Sequence, residues 1–364
     1  MPGCNVILVK TELGAERLAA SRIRDLDPAA RIDPAPMGLR GMVVVEPGSL
    51  SKEELARLIE ERVPEAGRVI PVDACCRASL EEMARVAAEV ARGRISPSET
   101  FAVRTTRRGR HPYTSIDVNV VVGDAVRRAT GASVNLTSPD KVVLVEIIQD
   151  DAYIAVVPGS MLYRKMRPGK YPLYRLYRRV SLVQMPYLGP LDACRNMGVR
   201  IGREAQNFEV AELVIAPDGP VDALQLKTFI EGVLEGIESR YEVQRKSYGR
   251  KAHRVPVLVQ DIYQLVRERH GREPIIVLEP EGEPVTRVAH RLYELFAGSK
   301  RVSILVGSRR GIPLGIYRFA DLVVDIAPGI TLSTDYAAAA ALIAIGTVVH
   351  DMLVERGLPG EEGD

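Results

Sequence analysis

The sequence predicts an α/β protein in two parts, an α+β front half followed by a mostly parallel sheet with helices on both faces. Three observations predict it. The 364 residues exceed one ordinary core and suit two or three domains. Apolar residues make up 46% and charged residues 26%, a globular composition in which only the tail after Gly357 looks loose. From Ser181 onward, apolar runs of strand length alternate with amphipathic stretches of helix length, the pattern of strands joined by crossover helices.

The elements follow in order. Residues 5–10 read as a strand, 13–24 as an amphipathic helix with Leu13, Leu18 and Ile23 on one side, and 41–46 as a second strand. Ser51 with Glu54 and Ser79 with Glu82 match the capping-box pattern, opening helices at 51–62 and 79–92. A strand (FAVRTT), a basic loop (RRGRHPYT) and a helix from Ser115 to Ala129 come next, with Gly131 as the helix stop and strands at 141–148 and 152–157 behind it. After Pro158 a basic aromatic stretch reads as a linker ending near Arg179. The last part reads as strands 212–216, 256–260, 274–278, 302–306 and 322–325, with helices 222–240, 261–270, 284–297 and 334–353.

Charge and cysteine usage narrow the function classes. The 49 Lys and Arg nearly balance the 47 Asp and Glu, so net charge announces no partner. Their distribution does. No acidic residue lies between Ser160 and Leu191, where Arg164, Lys165, Arg167, Lys170, Arg175, Arg178 and Arg179 cluster. Cys4, Cys75, Cys76 and Cys194 have neither zinc spacing nor the look of a disulfide framework, which fits a reducing cytoplasm and predicts no metal site. The longest apolar run, Tyr336 to Val349, reads as too short and too Ala-rich to span a bilayer, so a soluble protein with no membrane partner is expected. Abundant Arg and Glu, scarce Gln and no Trp are compatible with a heat-loving source, and GC-rich codon usage gives the same bias.

Ligands of parallel sheets sit at the carboxyl ends of the strands. Three Gly- and Pro-rich loops leave those ends: LEPEGEP, GSRRGIP and DIAPGITLS. They lack a metal-ligand set and a Ser-His-Asp arrangement, and no GxGxxG or GxxxxGK[ST] loop is present. Gly307, Gly311 and Gly329 allow close backbone approach, which suits a nucleoside-like ligand poor in phosphate. The segment from Ile275 to Val349, carrying IIVLEPEGEP, ILVGSRRGIP and ADLVVDIAPGITLSTDYAAAAALIAI, resembles the SPOUT methyltransferases. The resemblance implies a Rossmann-like parallel sheet with a trefoil knot that holds S-adenosylmethionine. Leu278, Glu279, Pro280, Val306, Gly307, Gly311, Ile326, Pro328, Gly329, Leu332 and Ser333 would then line the cofactor. RIGREAQNFEVAELVIA is similar to the first motif of SPOUT ribose 2′-O-methyltransferases, implying Arg203 and Ser333 as catalytic residues. Met197 stands where that motif has Asn, and Arg309 or Arg310 replaces an acidic residue of the second motif. The helix after Tyr336 would join a homodimer interface.

In the front half, the stretch from FAVRTTRRGRHPYT through VNLTSPD to the strand DDAYIAV resembles a THUMP domain. The resemblance implies a ferredoxin-like unit over 1–75, a THUMP RNA-binding domain over 76–160, a linker over 161–180, a SPOUT domain over 181–356 and a flexible tail over 357–364. The partner it implies is the acceptor end of tRNA. Arg104, Arg107, Arg108, Arg110, Lys141, Arg164, Lys165, Arg167 and Lys170 would meet phosphates, with Tyr163, Tyr171, Tyr174 and Tyr177 as stacking groups. Together the two resemblances imply an archaeal, cytoplasmic tRNA methyltransferase dependent on S-adenosylmethionine, acting on a ribose 2′-hydroxyl of the acceptor stem, with the cytidine at position 6 as the target. RNA base methylation, or non-catalytic RNA binding with a degenerate pocket, are the alternatives.

Overall fold

A computed structural model describes residues 4–162 and 165–359 of the chain. It divides into two compact units, Met1–Arg167 and Pro168–Asp364. In the first, β1 (Ile7–Thr11), α1 (Glu16–Leu26), β2 (Arg31–Pro34), β3 (Met42–Glu46), α2 (Lys52–Arg62) and β4 (Ala66–Pro71) build an antiparallel sheet in the order β2-β3-β1-β4. Next, β5 (Ala74–Arg77), α3 (Leu80–Arg92), β6 (Thr100–Arg108), α4 (Ser115–Thr130), β7 (Ser133–Val134), β8 (Lys141–Ile148) and β9 (Asp151–Pro158) build a mixed sheet in the order β5-β9-β8-β6-β7.

Alternation along the strands decides how these layers stack. Ile7 and Val9 pack with Ile23, Leu55 and Ile59 of the helices, while Leu8 between them joins Met42, Ile70, Val142, Leu144 and Val157. Val143 and Val145 face the opposite way, onto Val86, Val118 and Val122 of α3 and α4. The two sheets thus meet face to face with helices outside. Glu146 lies in that interface, only 1% exposed, and is neutralised by Lys10 and, at 3.0 Å, by Arg108.

Several expectations for this unit change. Leu13 and Leu18 are 71% and 50% exposed, because α1 begins after Leu13 and residues five apart lie roughly 140° apart around a helix. Ala19, Ala20 and Ile23 form its buried face instead. Ser51 and Ser79 cap their helices, each accepting an N–H at 3.2 Å, but the reciprocal box forms at Thr114 and Asp117. Gly131 ends α4 at φ 72°. Cys4 and Cys75 are joined in a disulfide, contrary to the reading of unlinked cysteines; strand packing brings together residues 71 apart.

The second unit contains α5 (Tyr174–Tyr177), β10 (Val180–Gln184), α6 (Leu191–Phe208), β11 (Glu212–Ile215), α7 (Ala223–Ser247), β12 (Val257–Val259), α8 (Ile262–Arg269), β13 (Ile275–Pro284) and α9 (Ala289–Gly298). It closes with β14 (Val302–Val306), α10 (Leu314–Tyr317), β15 (Leu322–Asp325) and α11 (Thr334–Arg356). Its sheet has the order β12-β11-β10-β14-β13-β15, with every pairing parallel. Helices α6, α7, α9 and α11 cover one face, and α8 and α10 the other. The expected linker is shorter than its composition suggests. Leu176 and Tyr177 are buried in this unit's core, and the Tyr177 hydroxyl donates to the Leu342 carbonyl at 2.9 Å.

Strand β10 and helix α6 are absent from the expectation. Helix α6 packs on α7 through Gly198, Gly202, Gly232 and Gly236, where a Cβ would come within 2.3 Å of the facing backbone. Helix α11 spans 23 residues, so by length and composition it could cross a membrane, contrary to the expectation from 336–349. In this fold Ala338, Ala341, Leu342, Ile345, Val349 and Leu353 bury its inner side in the core.

Candidate ligand pocket and basic surface

Strands β14, β13 and β15 are neighbours in the sheet, so the three loops that follow them converge. Between these loops lies a cavity of about 210 Å³, lined by Leu278, Glu279, Pro280, Val306, Gly307, Ser308, Arg309, Gly311, Val324, Asp325, Ile326, Ala327, Ile330, Thr331, Leu332, Thr334 and Ala337. The first loop is not free of the sheet. Strand β13 continues past Leu278 and pairs again with β15 at Glu283 and Pro284, after a register shift. Gly282 passes so close to β15 that a Cβ would meet the Val324 nitrogen at 2.5 Å.

Glu279 organises the cavity floor. Its carboxylate accepts the Ile312 N–H, and a Cβ on Gly307 or Gly311 would lie 2.8 or 3.0 Å from its Oε1. The rigid constraints are in the backbone: a Cβ on Gly307 would also lie 2.9 Å from the Gly311 Cα, and Gly311 takes a φ of +72°. Burial pushes the Glu279 carboxyl up, against the Ile312 N–H, which favours the charged form, and with the help of Glu281. Gln184, at the end of β10, donates to the Gly307 carbonyl at 3.1 Å and fixes the second loop. Asp325 accepts the Ala327 N–H at 2.9 Å and shapes the third.

Eight expected positions line this cavity: Leu278, Glu279, Pro280, Val306, Gly307, Gly311, Ile326 and Leu332. Pro328, Gly329 and Ser333 do not. Gly329 turns the chain at φ +81°, and Ser333 caps α11, its carbonyl accepting from Tyr336 and Ala337 at 3.0 Å. Thr334, the first residue of the helix, and Ala337, one turn further on, line the cavity in its place. Sequence reasoning missed Arg309 as a lining residue, although it had marked the position as a departure; its guanidinium lies 5.6 Å from the Tyr187 ring centre. Arg203 does not reach the cavity within its own chain. It sits on α6 and donates to the Ser239 hydroxyl of α7 at 3.2 Å. Arg200, also on α6, pairs with Asp335 of α11 at 2.9 Å. Burial alone would raise Asp335, but Arg200 and the Ser333 hydroxyl hold its carboxyl below the usual range.

The expected phosphate-binding cations divide. Arg104 donates to the Leu136 carbonyl at 2.7 Å, Arg107 contacts His111 at 3.5 Å, Arg108 pairs with Glu146, and Lys141 pairs with Glu99 at 3.7 Å. Arg110 and Arg167 are exposed and lack a side-chain partner among the described residues, and Lys165 and Lys170 are exposed as well. Arg164 and Tyr163 lie outside the described residues. Further on, Arg178 pairs with buried Glu209 at 2.6 Å and Arg179 donates to the Phe296 carbonyl at 3.2 Å, so the end of the basic stretch serves the fold. Among the described residues no cluster of side chains could hold a metal ion.

Comparison with known proteins agrees with this division. Residues 174–364 match the family described as AF2226-like SPOUT RNA methylase fused to THUMP, and residues 77–157 match the THUMP domain. The uncharacterized protein MJ0421 of Methanocaldococcus jannaschii is 38% identical over 339 residues, covering 93% of this chain and 92% of that one. A tRNA sulfurtransferase of Thermoplasma acidophilum is 36% identical over 107 residues, 29% of this chain and only 20% of that one. Among solved structures, PH1313 from Pyrococcus horikoshii aligns with 83% of this chain and 93% of its own, with 18% identity and a TM-score of 0.36.

Proposed function

The chain belongs to the SPOUT RNA methylases fused to THUMP, and from that premise we propose that it methylates a ribose 2′-hydroxyl in the acceptor stem of tRNA, at the cytidine of position 6, using S-adenosylmethionine. The observation that carries the cofactor is the convergence of three strand-end loops on one cavity of mixed apolar and carboxylate lining. That lining fits the group. Leu278, Val306, Ile326 and Leu332 offer an apolar slot for a purine, and the close main chain of Gly307 and Gly311 can read its edge. Glu279 and Asp325 bring negative charge beside a ligand that carries a positive sulfur. When bound, S-adenosylmethionine supplies a methyl group already activated for displacement, so alignment and proton removal are left to the protein.

A ribose hydroxyl is a poor nucleophile at neutral pH and needs a base or a nearby cation. Glu279, whose carboxyl burial pushes above its ordinary value, is the pocket carboxylate suited to take the proton. Arg309 lines the same cavity, and its guanidinium suits stabilising the developing alkoxide or holding a phosphate. The proposal includes a homodimer through the second unit, whose α11 exposes Tyr336, Ile343 and Val354. Arg203 acts in catalysis only if a second copy delivers it.

Purified protein, labelled S-adenosylmethionine and an unmodified tRNA transcript are expected to give methyl transfer, with the label in a 2′-O-methylated nucleoside. A methylated base would replace the ribose assignment by base methylation. Absence of S-adenosylmethionine binding by calorimetry would remove both enzyme readings and leave an RNA-binding protein. Arg203→Ala is expected to lower turnover about 100-fold, the scale of losing one charge-stabilising group, with cofactor affinity retained. Unchanged turnover removes Arg203 and the two-chain site with it.

A further inference from the structure

On the face of the sheet covered by α8 and α10 lies a second cleft, of about 420 Å³, that shares no residue with the donor pocket. Its walls include Tyr263, Arg267 and His270 from α8 and its end, and Gly315, Arg318 and Phe319 from α10 and the turn after it. Tyr263 and Phe319 are large rings left 42% and 43% exposed. His270 holds the far wall, its Nδ1 3.1 Å from the Phe319 carbonyl and its ring perpendicular to the Phe319 ring at 5.3 Å. Both guanidiniums are exposed and have no hydrogen bond or ion pair among the described residues, and no carboxylate lines the cleft. The nearby Glu268 is engaged elsewhere, by Gln260 at 2.7 Å and Gln264 at 2.8 Å. Gly315 leaves the floor open, since a Cβ there would meet nothing within 4 Å.

We propose that this cleft binds an unpaired nucleotide of the RNA substrate, its base stacked on the Tyr263 or Phe319 ring and its phosphate held by Arg267 and Arg318. Flat rings beside uncompensated arginines match the two halves of a nucleotide, one π-faced and one anionic. An acidic peptide would satisfy the arginines but leave the rings unused. The inference rests on the RNA-methylase reading and adds to it a contact on the methyltransferase unit itself.

The test measures binding of the full chain to an unmodified tRNA transcript and to a short oligouridine by fluorescence anisotropy. The double variant Arg267→Ala with Arg318→Ala is expected to bind each RNA about tenfold more weakly and to flatten the salt dependence by about two counterions. Gly315→Glu, which fills open space with bulk and negative charge, is expected to weaken binding similarly at an unchanged melting temperature, with S-adenosylmethionine affinity retained in both variants. A 5-bromouridine oligonucleotide is expected to crosslink to Tyr263 or Phe319. Wild-type RNA affinity in both variants, crosslinks confined to other residues, or an acidic peptide that binds where oligouridine does not would overturn the cleft assignment. If the variants lose RNA while wild-type protein transfers no methyl group, the catalytic reading fails and the cleft stands.

Discussion

Glu209 lies just past the end of α6 at φ 53°, a backbone conformation that L residues rarely adopt, with its side chain 1% exposed. It is held there by charge. Burial alone would raise its carboxyl, but Arg250 at 2.5 Å, Arg178 at 2.6 Å and the His253 N–H at 2.9 Å outweigh burial and lower it. A depressed carboxyl contributes stability above its unfolded value and loses it as pH falls through the native one. Glu209→Gln, which removes the counter-charge of two arginines, is therefore expected to cost roughly 3 kcal/mol at neutral pH and to flatten the acid limb of the unfolding curve. A chemical-denaturation series across pH that shows the same acid limb in both proteins would refute this role. None of it was readable beforehand, because Arg178 and Arg250 lie 31 and 41 residues from Glu209 and only the fold brings them to it. Arg203 carries the same lesson. The motif around it was legible, but its direction depends on α7, whose Ser239 takes its hydrogen bond.

The α6–α7 pair shows why a long helix can escape a sequence reading. Helix α6 carries Gly198 and Gly202 among Arg195, Arg200 and Arg203, and each interior Gly weakens helix propensity by about 1 kcal/mol relative to Ala. Those glycines let two backbones touch: a Cβ on Gly202 would lie 2.2 Å from the Val233 carbonyl oxygen. Gly202→Ala gains the propensity term and loses the packing, and the packing prevails, because a rigid facing backbone cannot yield as a side chain can. The net expectation is a loss of about 2 kcal/mol, seen as a lower midpoint in urea, whereas Gly315→Ala in open space should be near neutral. Equal midpoints for the two variants would contradict the close-packing account. Two strands were easier to read. Those at 302–306 and 322–325 have the expected bounds, since they are mostly apolar runs that local composition reveals, whereas β10, interrupted by Ser181 and ended by Gln184, escaped.

At the scale of the whole molecule, the disulfide ties residues 71 apart within the first unit, Cys4 before β1 and Cys75 in β5. Closing a loop of that length restricts the unfolded chain, so Cys75→Ser is expected to destabilise this unit by about 2–4 kcal/mol. Calorimetry with and without reductant should lower the transition of the first unit and leave that of the second in place; a scan unmoved by reductant would show that the bridge adds no stability. Sequence alone determined the α/β class, the order of the three strand-end loops, eight of the residues with which they line the cavity and the kinship to THUMP and SPOUT proteins, because periodicity, glycine placement and motif order are local properties of the chain. Tertiary structure decided the rest: the disulfide, the close α6–α7 contact, the burial of the linker's end, the arginines left facing solvent, and the cleft between α8 and α10. Each of those depends on residues distant in sequence that meet only when the sheets and helices pack.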